Sequence, residues 1–296
     1  MSRKGVILSG GRATRLQPLT FVTSKQLLPV YDKPMIYYPL AVLMMAGVRE
    51  VMIVSSSHDL YRFQTLFEDG SHLGLKISYG VQEEPRGIAD AFLVAEGFIA
   101  GESVALILGD NIFYGEDLDK ALCAIDKDER GGVIFGYEVN NPERFGVVRF
   151  NERGEPLEIL EKPKKPPSNY AVTGLYFYDN QVIEIAKQLT PSGRGELEIT
   201  DVNNAYLRKG ELKVVKLSKG FAWFDSGTFE DLHKASTYVR IMQEMQHTKI
   251  ACIEEIAYRL GYINREELRN LADLHSKSSY SEYLYAILSD YQHVTV

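Results

Sequence analysis

The chain has 296 residues, 45% of them hydrophobic and 25% charged, a profile that fits a globular protein of one large or two small α/β domains. Its formal net charge of −7 argues against a general nucleic-acid binder, which would present a basic face. Two cysteines, Cys123 and Cys252, encode neither a disulfide framework nor a four-cysteine zinc site and suit a reducing cytoplasm.

The first half alternates short β-branched runs with amphipathic stretches. Strands are predicted over Gly5–Ser9, Val51–Ser55, Ile77–Val81 and Val104–Leu108, with helices near Tyr37–Ala46, Asp59–Phe67 and Ile88–Phe98 between them. Strands separated by helices of this length form βαβ units and a mostly parallel sheet. After Gly131 strand-like pieces follow one another at Gly132–Val139, Gly146–Phe150, Leu157–Glu161 and Val172–Tyr178. Helical patterns return near Asn180–Gln188, Ile199–Lys209 and Phe229–Glu244, and continue from Ile253. We expect a main domain over 1–245 and a helical segment over 246–296 packed on it. The longest uncharged run, 34–48, contains Pro39 and is shorter than the roughly 18–20 apolar residues of a membrane span. Arg12 and Arg15 interrupt the apolar N-terminal stretch, so no export signal is expected and the chain reads as soluble and cytoplasmic.

The first strand runs into Leu8-Ser9-Gly10-Gly11-Arg12-Ala13-Thr14-Arg15-Leu16. A strand entering a Gly-Gly turn lets backbone N–H groups approach a phosphate, and Arg15 adds a planar charge that can grip its oxygens in pairs. Taken alone, a Gly-Gly of this kind is more often a tight strand-to-helix turn with surface arginines. It matches neither the dinucleotide fingerprint nor the P-loop. Lys25 follows in Ser24-Lys25-Gln26-Leu27-Leu28-Pro29.

Two apolar runs end in aspartate, Leu106-Ile107-Leu108-Gly109-Asp110 and Phe221-Ala222-Trp223-Phe224-Asp225. Each Asp alone could be a cap or turn former. As a pair at strand ends they suit Mg²⁺, which takes one or two carboxylates plus substrate phosphates. Gln82, at a strand end, can donate and accept at once, or could be a surface residue. Lys162 opens the proline-rich stretch KPKKPP, which on spacing alone reads as a solvated loop. The six histidines form no zinc-ligand pair.

The combination of G-G-x-x-T-R-L, S-K-Q-L-L-P and K-P-M-I-Y-Y-P-L resembles the opening of the sugar-nucleotide pyrophosphorylases, most closely their glucose-1-phosphate thymidylyltransferase branch. Further matches are Val81-Gln82, Gly87-Ile88-Ala89-Asp90-Ala91, Arg144-Phe145-Gly146-Val147-Val148, Leu160-Glu161-Lys162-Pro163, Tyr170 to Tyr176 and Gly195 to Val202. The resemblance implies an α/β fold, a Rossmann-like mixed and mostly parallel sheet flanked by helices, with a helical C-terminal appendage. It implies that dTTP is joined to α-D-glucose 1-phosphate with release of pyrophosphate, the first step toward dTDP-deoxysugars such as dTDP-rhamnose. Leu8, Gly10, Gly11, Ala13, Thr14, Arg15, Lys25, Gln26, Gln82, Gly87 and Asp110 would then hold the nucleotide. Asn111, Gly146, Glu161, Lys162 and Val172 would hold the sugar phosphate, with Asp110 and Asp225 on Mg²⁺. Arg15, Lys25, Asp110 and Lys162 would carry catalysis. A second, feedback site for a dTDP-sugar would involve Tyr114, Gly115, Lys219, Lys249, Ala251, Cys252, Glu255, Ile256 and Arg259, in a homotetramer built from dimers.

Five positions depart from the family pattern, two of them at the feedback site, where Lys219 replaces a usual arginine and Met245 sits where a basic residue is common. Ser9 replaces an alanine, Ala13 replaces a third glycine of the loop, and Arg86 stands where many relatives carry aspartate. A Cβ at position 13 is awkward wherever the backbone needs φ > 0. Rival readings are a pyrophosphorylase using UTP or another hexose 1-phosphate, and a non-catalytic nucleotide-sugar sensor. A dinucleotide oxidoreductase lacks its fingerprint.

Overall fold

The computed structural model describes residues 3–11, 13–125, 130–274 and 277–290; Arg12 of the glycine loop and the last residues of the expected C-terminal segment lie outside them. In chain order the elements are β1 (Lys4–Leu8), β2 (Pro29–Val30), β3 (Lys33–Pro34), α1 (Tyr37–Met45), β4 (Glu50–Ser55), α2 (Ser57–Phe67), β5 (Lys76–Val81), α3 (Asp90–Val94), α4 (Glu96–Ile99), β6 (Val104–Leu108), β7 (Asn111–Tyr114) and α5 (Leu118–Cys123). Then come β8 (Gly132–Glu138), β9 (Gly146–Phe150), β10 (Pro156–Glu161), β11 (Tyr170–Tyr178), α6 (Val182–Lys187), α7 (Ile199–Arg208), β12 (Leu212–Lys216), β13 (Ala222–Asp225), α8 (Phe229–Gln246), α9 (Ile253–Arg259), α10 (Arg265–Leu274) and α11 (Ser279–Asp290).

The apolar runs of β1, β4, β5 and β6 form the parallel heart of a nine-stranded mixed sheet. Val104 to Ile107 are all fully buried, as strands covered by helices on both faces must be. Beyond β6 the sheet turns antiparallel through β11, which pairs with β6 over its C-terminal half and with β9 at Ala171↔Val147. β8 takes the other edge of β11, and β12 joins β8 in parallel. One core cluster packs α1 and the C-terminal helices against the sheet; a second lies under α3, α6 and α7. Residues of α9 and α10 such as Ile253, Ala257 and Leu268 are completely or almost completely buried within the first cluster, so the C-terminal segment shares the main core. Among the described residues no helix is long and apolar enough to cross a membrane.

One local expectation needs correction, and some elements carried no expectation. The single helix expected over Ile88–Phe98 is two short ones, broken at Ala95 (φ −92, ψ 5) just ahead of Gly97, a residue that weakens helices. β7 and α5, for which no element was expected, are ordered, and β7 pairs antiparallel with β13 in a separate two-stranded sheet. β12, LKVVK, is half-exposed and short, which hides it from a search for buried runs.

Candidate active site

The pairing of β1 sets where the chemistry collects. Leu8 lies opposite Val54 of β4 and Leu108 of β6, so the three parallel strands end level and their following loops open on one edge of the sheet. The loop after β1 carries Gly10, Gly11 and Ala13. Gly11 has φ 105, open to glycine, and Ala13 is left-handed at φ 43, ψ 39. The glycine missing at position 13 therefore coincides with a real steric demand. Thr20 Oγ1 donates to the Ala13 carbonyl at 3.0 Å and fastens the loop from outside.

The loop after β6 carries Asp110, which binds partners from both sides. Lys25 Nζ contacts its Oδ2, while Asn111 Nδ2 donates to its Oδ1 at 3.0 Å. Burial alone would raise the Asp110 carboxyl; the Lys25 ammonium and the Asn111 amide outweigh it and hold the group below its usual value. Asp225, the last residue of β13, is placed opposite Asn111 by the β13–β7 register. Its carboxyl is pushed up to about 6 by burial and then by the charge of Asp110, against the pull of Lys25, Arg15 and Arg144. Arg15 approaches the same spot: a Cβ on Gly227 would lie 3.0 Å from its Nη2 and 3.5 Å from Asp225 Oδ1.

Two cavities meet this cluster. One, of about 510 Å³, is lined by Gly11, Ala13, Thr14, Lys25 and Gln82. The other, of about 140 Å³, is lined by Asn111, Gly146, Glu161, Lys162, Val172 and Asp225, together with Arg144 and Trp223. Asp110 links them, because its two bonded partners, Lys25 and Asn111, belong to opposite cavities. In the smaller cavity Glu161 accepts from Thr200 Oγ1 at 2.6 Å and from Arg194 Nη2 at 3.1 Å. Lys162 Nζ is 3.4 Å from the same carboxylate, on a backbone at φ 43.

Some sequence candidates are engaged otherwise. Gln26 is buried, and its Oε1 accepts from Ser24 Oγ at 2.6 Å, outside the linings of both cavities. Leu8 packs into the second core cluster. Asn111 reaches the smaller cavity, but its Oδ1 already accepts from Trp223 Nε1 at 2.7 Å and from Gly174 N at 3.0 Å, so its amide serves the scaffold. Gly87 (φ 105) abuts the Leu197 backbone, where any Cβ would come within 2.4 Å of the carbonyl oxygen. Conversely, Arg194, Thr200 and Asp90 take part without having been singled out. Asp90 was legible as an aspartate inside the apolar stretch I-A-D-A-F, which must find a partner once buried.

Away from this edge, Tyr114, Gly115, Lys249, Ala251, Glu255, Ile256 and Arg259 line a cavity of about 330 Å³ between α1, β7 and α9. Lys219 and Cys252 are not among its lining residues. Cys252 is buried, its thiol 3.6 Å from Glu254 Oε2.

Comparison with known proteins agrees with this architecture. Residues 4–240 match the nucleotidyl transferase family model. The glucose-1-phosphate thymidylyltransferase of Neisseria meningitidis is 52% identical over 285 residues, 96% of this chain and 99% of that protein. The Mycobacterium tuberculosis protein of the same name is 51% identical over the same shares. Among solved structures, a Bacillus anthracis protein described as a glucose-1-phosphate thymidylyltransferase, in complex with sucrose, superposes with a TM-score of 0.75 at 40% identity, covering 81% of this chain and 96% of that one. A UDP-glucose pyrophosphorylase with UDP-glucose gives 0.70 at 26%, covering 82% and 100%. Glycine loop, facing aspartates and whole-length similarity converge on one assignment: the chain is an enzyme of the nucleotidyl transferase family, within its glucose-1-phosphate thymidylyltransferase group.

Proposed function

We propose that the chain joins dTTP to α-D-glucose 1-phosphate, forming dTDP-glucose and pyrophosphate by in-line attack of the sugar phosphate on the α-phosphorus. The observation that carries this is Asp110, bonded at once to Lys25 of the larger cavity and Asn111 of the smaller one. The larger cavity, with the glycine loop and Gln82, takes the nucleotide. The smaller one, with Glu161 and Lys162, takes the hexose phosphate. A phosphate dianion is already a competent nucleophile at neutral pH, so the protein's task is to bring two polyanions together. Arg15, Lys25 and Lys162 compensate their charge and hold them aligned.

Asp110 and Asp225 would hold Mg²⁺. The residues fit the ion: two close carboxylates raise each other's cost of ionisation, and a cation between them relieves it. Among the described residues no cluster of three metal-binding side chains exists, which leaves the remaining positions to phosphate oxygens and water, as Mg²⁺ prefers. The ion would supply further charge neutralisation at the reacting phosphate. Incubation with Mg²⁺, glucose 1-phosphate and each nucleoside triphosphate, scored by pyrophosphate release, tests the reading. Turnover is expected with dTTP; turnover with UTP alone would favour the rival that the UDP-glucose pyrophosphorylase likeness suggests.

We further assign the 330 Å³ cavity to feedback by a dTDP-sugar, with Lys249 and Arg259 facing the diphosphate. The segment 246–296 would serve that control and subunit contact in a homotetramer.

A further inference from the structure

Gln82 follows β5 directly, with its backbone N–H bonded to the Ser55 carbonyl at 2.8 Å. Its side-chain nitrogen has two hydrogens and two protein acceptors. Nε2 donates to Asp90 Oδ2 at 2.8 Å and to the Gly87 carbonyl at 3.3 Å. With the nitrogen so occupied, the carboxamide oxygen faces the other way, toward the glycine loop. It lies 3.0 Å from where a Cβ on Gly10 would stand.

Asp90 has no exposure at all and is ion-paired through Oδ1 to Arg86 Nη2 at 2.8 Å. That contact is off the hydrogen-bonding direction, so Oδ1 has no aligned donor. A buried carboxylate is expensive unless paired, and it offers acceptors only. Were the Gln82 amide to turn over, its oxygen would face a carboxylate oxygen in a dry site and both Nε2 bonds would be lost. Asp90, through the shorter of the two Nε2 bonds and with the Gly87 carbonyl beside it, thus fixes which end of a nearly symmetric carboxamide points into the cavity.

Resting on the reading of Gln82 as the base-facing group, we propose that Asp90 is a positioning residue for base selection. It holds Gln82 so that an oxygen, not an amino group, meets the base edge. An acceptor there pairs with the ring N3–H of thymine or uracil and repels the bare N3 of cytosine. Arg86 closes the outer side of Asp90 and keeps the pair in register.

The test measures kcat/KM for dTTP and for dCTP in the wild type, Gln82→Ala, Asp90→Asn, and the double variant Gln82→Glu with Asp90→Asn. An asparagine at 90 can donate as well as accept, which removes the shorter of the two bonds that orient the amide and leaves only the longer one to the Gly87 carbonyl. The dTTP-over-dCTP ratio is expected to fall by about tenfold or more, the scale of one misplaced hydrogen bond. The double variant exchanges donor and acceptor between positions 82 and 90 and presents an oxygen either way, but a carboxylate at 82 leaves the Gly87 carbonyl without its donor, so the dTTP-over-dCTP ratio should return while both kcat/KM values fall. A merely structural role for Asp90 would lower stability and both kcat/KM values together, leaving the ratio unchanged. If Gln82→Ala loses the preference while Asp90→Asn keeps it, the positioning role is wrong. If neither variant changes the ratio, Gln82 does not read the base and the premise fails with the inference.

Discussion

Asp225 and Asp110 sit together at the end of the β13–β7 ribbon, where Ser226 N donates to the Asp110 carbonyl at 3.1 Å, and their carboxyls have opposite electrostatic fates: one is raised to about 6, the other held low by Lys25. Burial disfavours both charges, but only Asp110 has a bonded cation to offset it. These are the two carboxylates proposed above to hold Mg²⁺.

The raised group predicts a pH signature in metal-stripped protein. A carboxyl whose folded value lies above its unfolded one stabilises the fold at low pH, and that contribution is lost as pH rises through the folded value. Asp225 should therefore cost the stripped protein stability between about pH 4 and 6, by no more than about 3 kcal/mol. Mg²⁺ should restore it above pH 6. Thermal melts across pH, with and without Mg²⁺, should show this in the wild type and lose it in Asp225→Asn.

Removing one charge-compensating group should leave a folded but poor enzyme. Lys162→Ala and Asp110→Ala are each expected to lose on the order of 10²–10³ in kcat, with circular dichroism unchanged. Near-normal turnover by either would contradict their placement at the reacting phosphates.

Ala13 at φ 43 carries a strain that glycine would not, roughly 1 kcal/mol for a left-handed alanine. Ala13→Gly should remain equally stable or gain up to about 2 °C in melting temperature, because relief of strain competes with the added freedom of the unfolded chain. A clear loss of stability would mean the Ala13 methyl makes contacts that outweigh its strain.

The parallel strands were legible because continuous apolar runs have few alternatives to burial on both faces. The C-terminal helices were legible from their period, and their sharing of the main core was foreseen only as packing. The β13–β7 ribbon was not visible as a pair, since its strands lie far apart in sequence, Trp223 opposite Phe113 and Asp225 opposite Asn111, and no local signal joins them. The same holds for Lys25 and Asp110, 85 residues apart: their meeting was anticipated through family resemblance, not through spacing. Gln26 was assigned to the nucleotide through the family resemblance; in the structure the tight turn at Lys25–Leu27 leaves its side chain buried against Ser24. Which end of Gln82 faces the cavity depends on Asp90 and could come only from three-dimensional contacts.

The 330 Å³ cavity makes a separate prediction. Lys249 bonds Asp32 at 2.6 Å, tying the cavity wall to the β2–β3 hairpin. If a dTDP-deoxysugar binds there, Lys249→Ala should raise the concentration needed for half-inhibition by about tenfold, the scale of one charged hydrogen bond. Inhibition by dTDP-rhamnose that is unaltered in the variant would place the inhibitor elsewhere.

The alignment of two anions for direct displacement is tested most directly by stereochemistry. The reaction should be run with glucose 1-phosphate and a dTTP analogue carrying sulfur at a chiral α-phosphorus, and the product's configuration assigned by phosphorus NMR. Inversion is the predicted result, since a single in-line attack turns the phosphorus over once. Retention would require a covalent nucleotidyl-enzyme intermediate and would contradict the account.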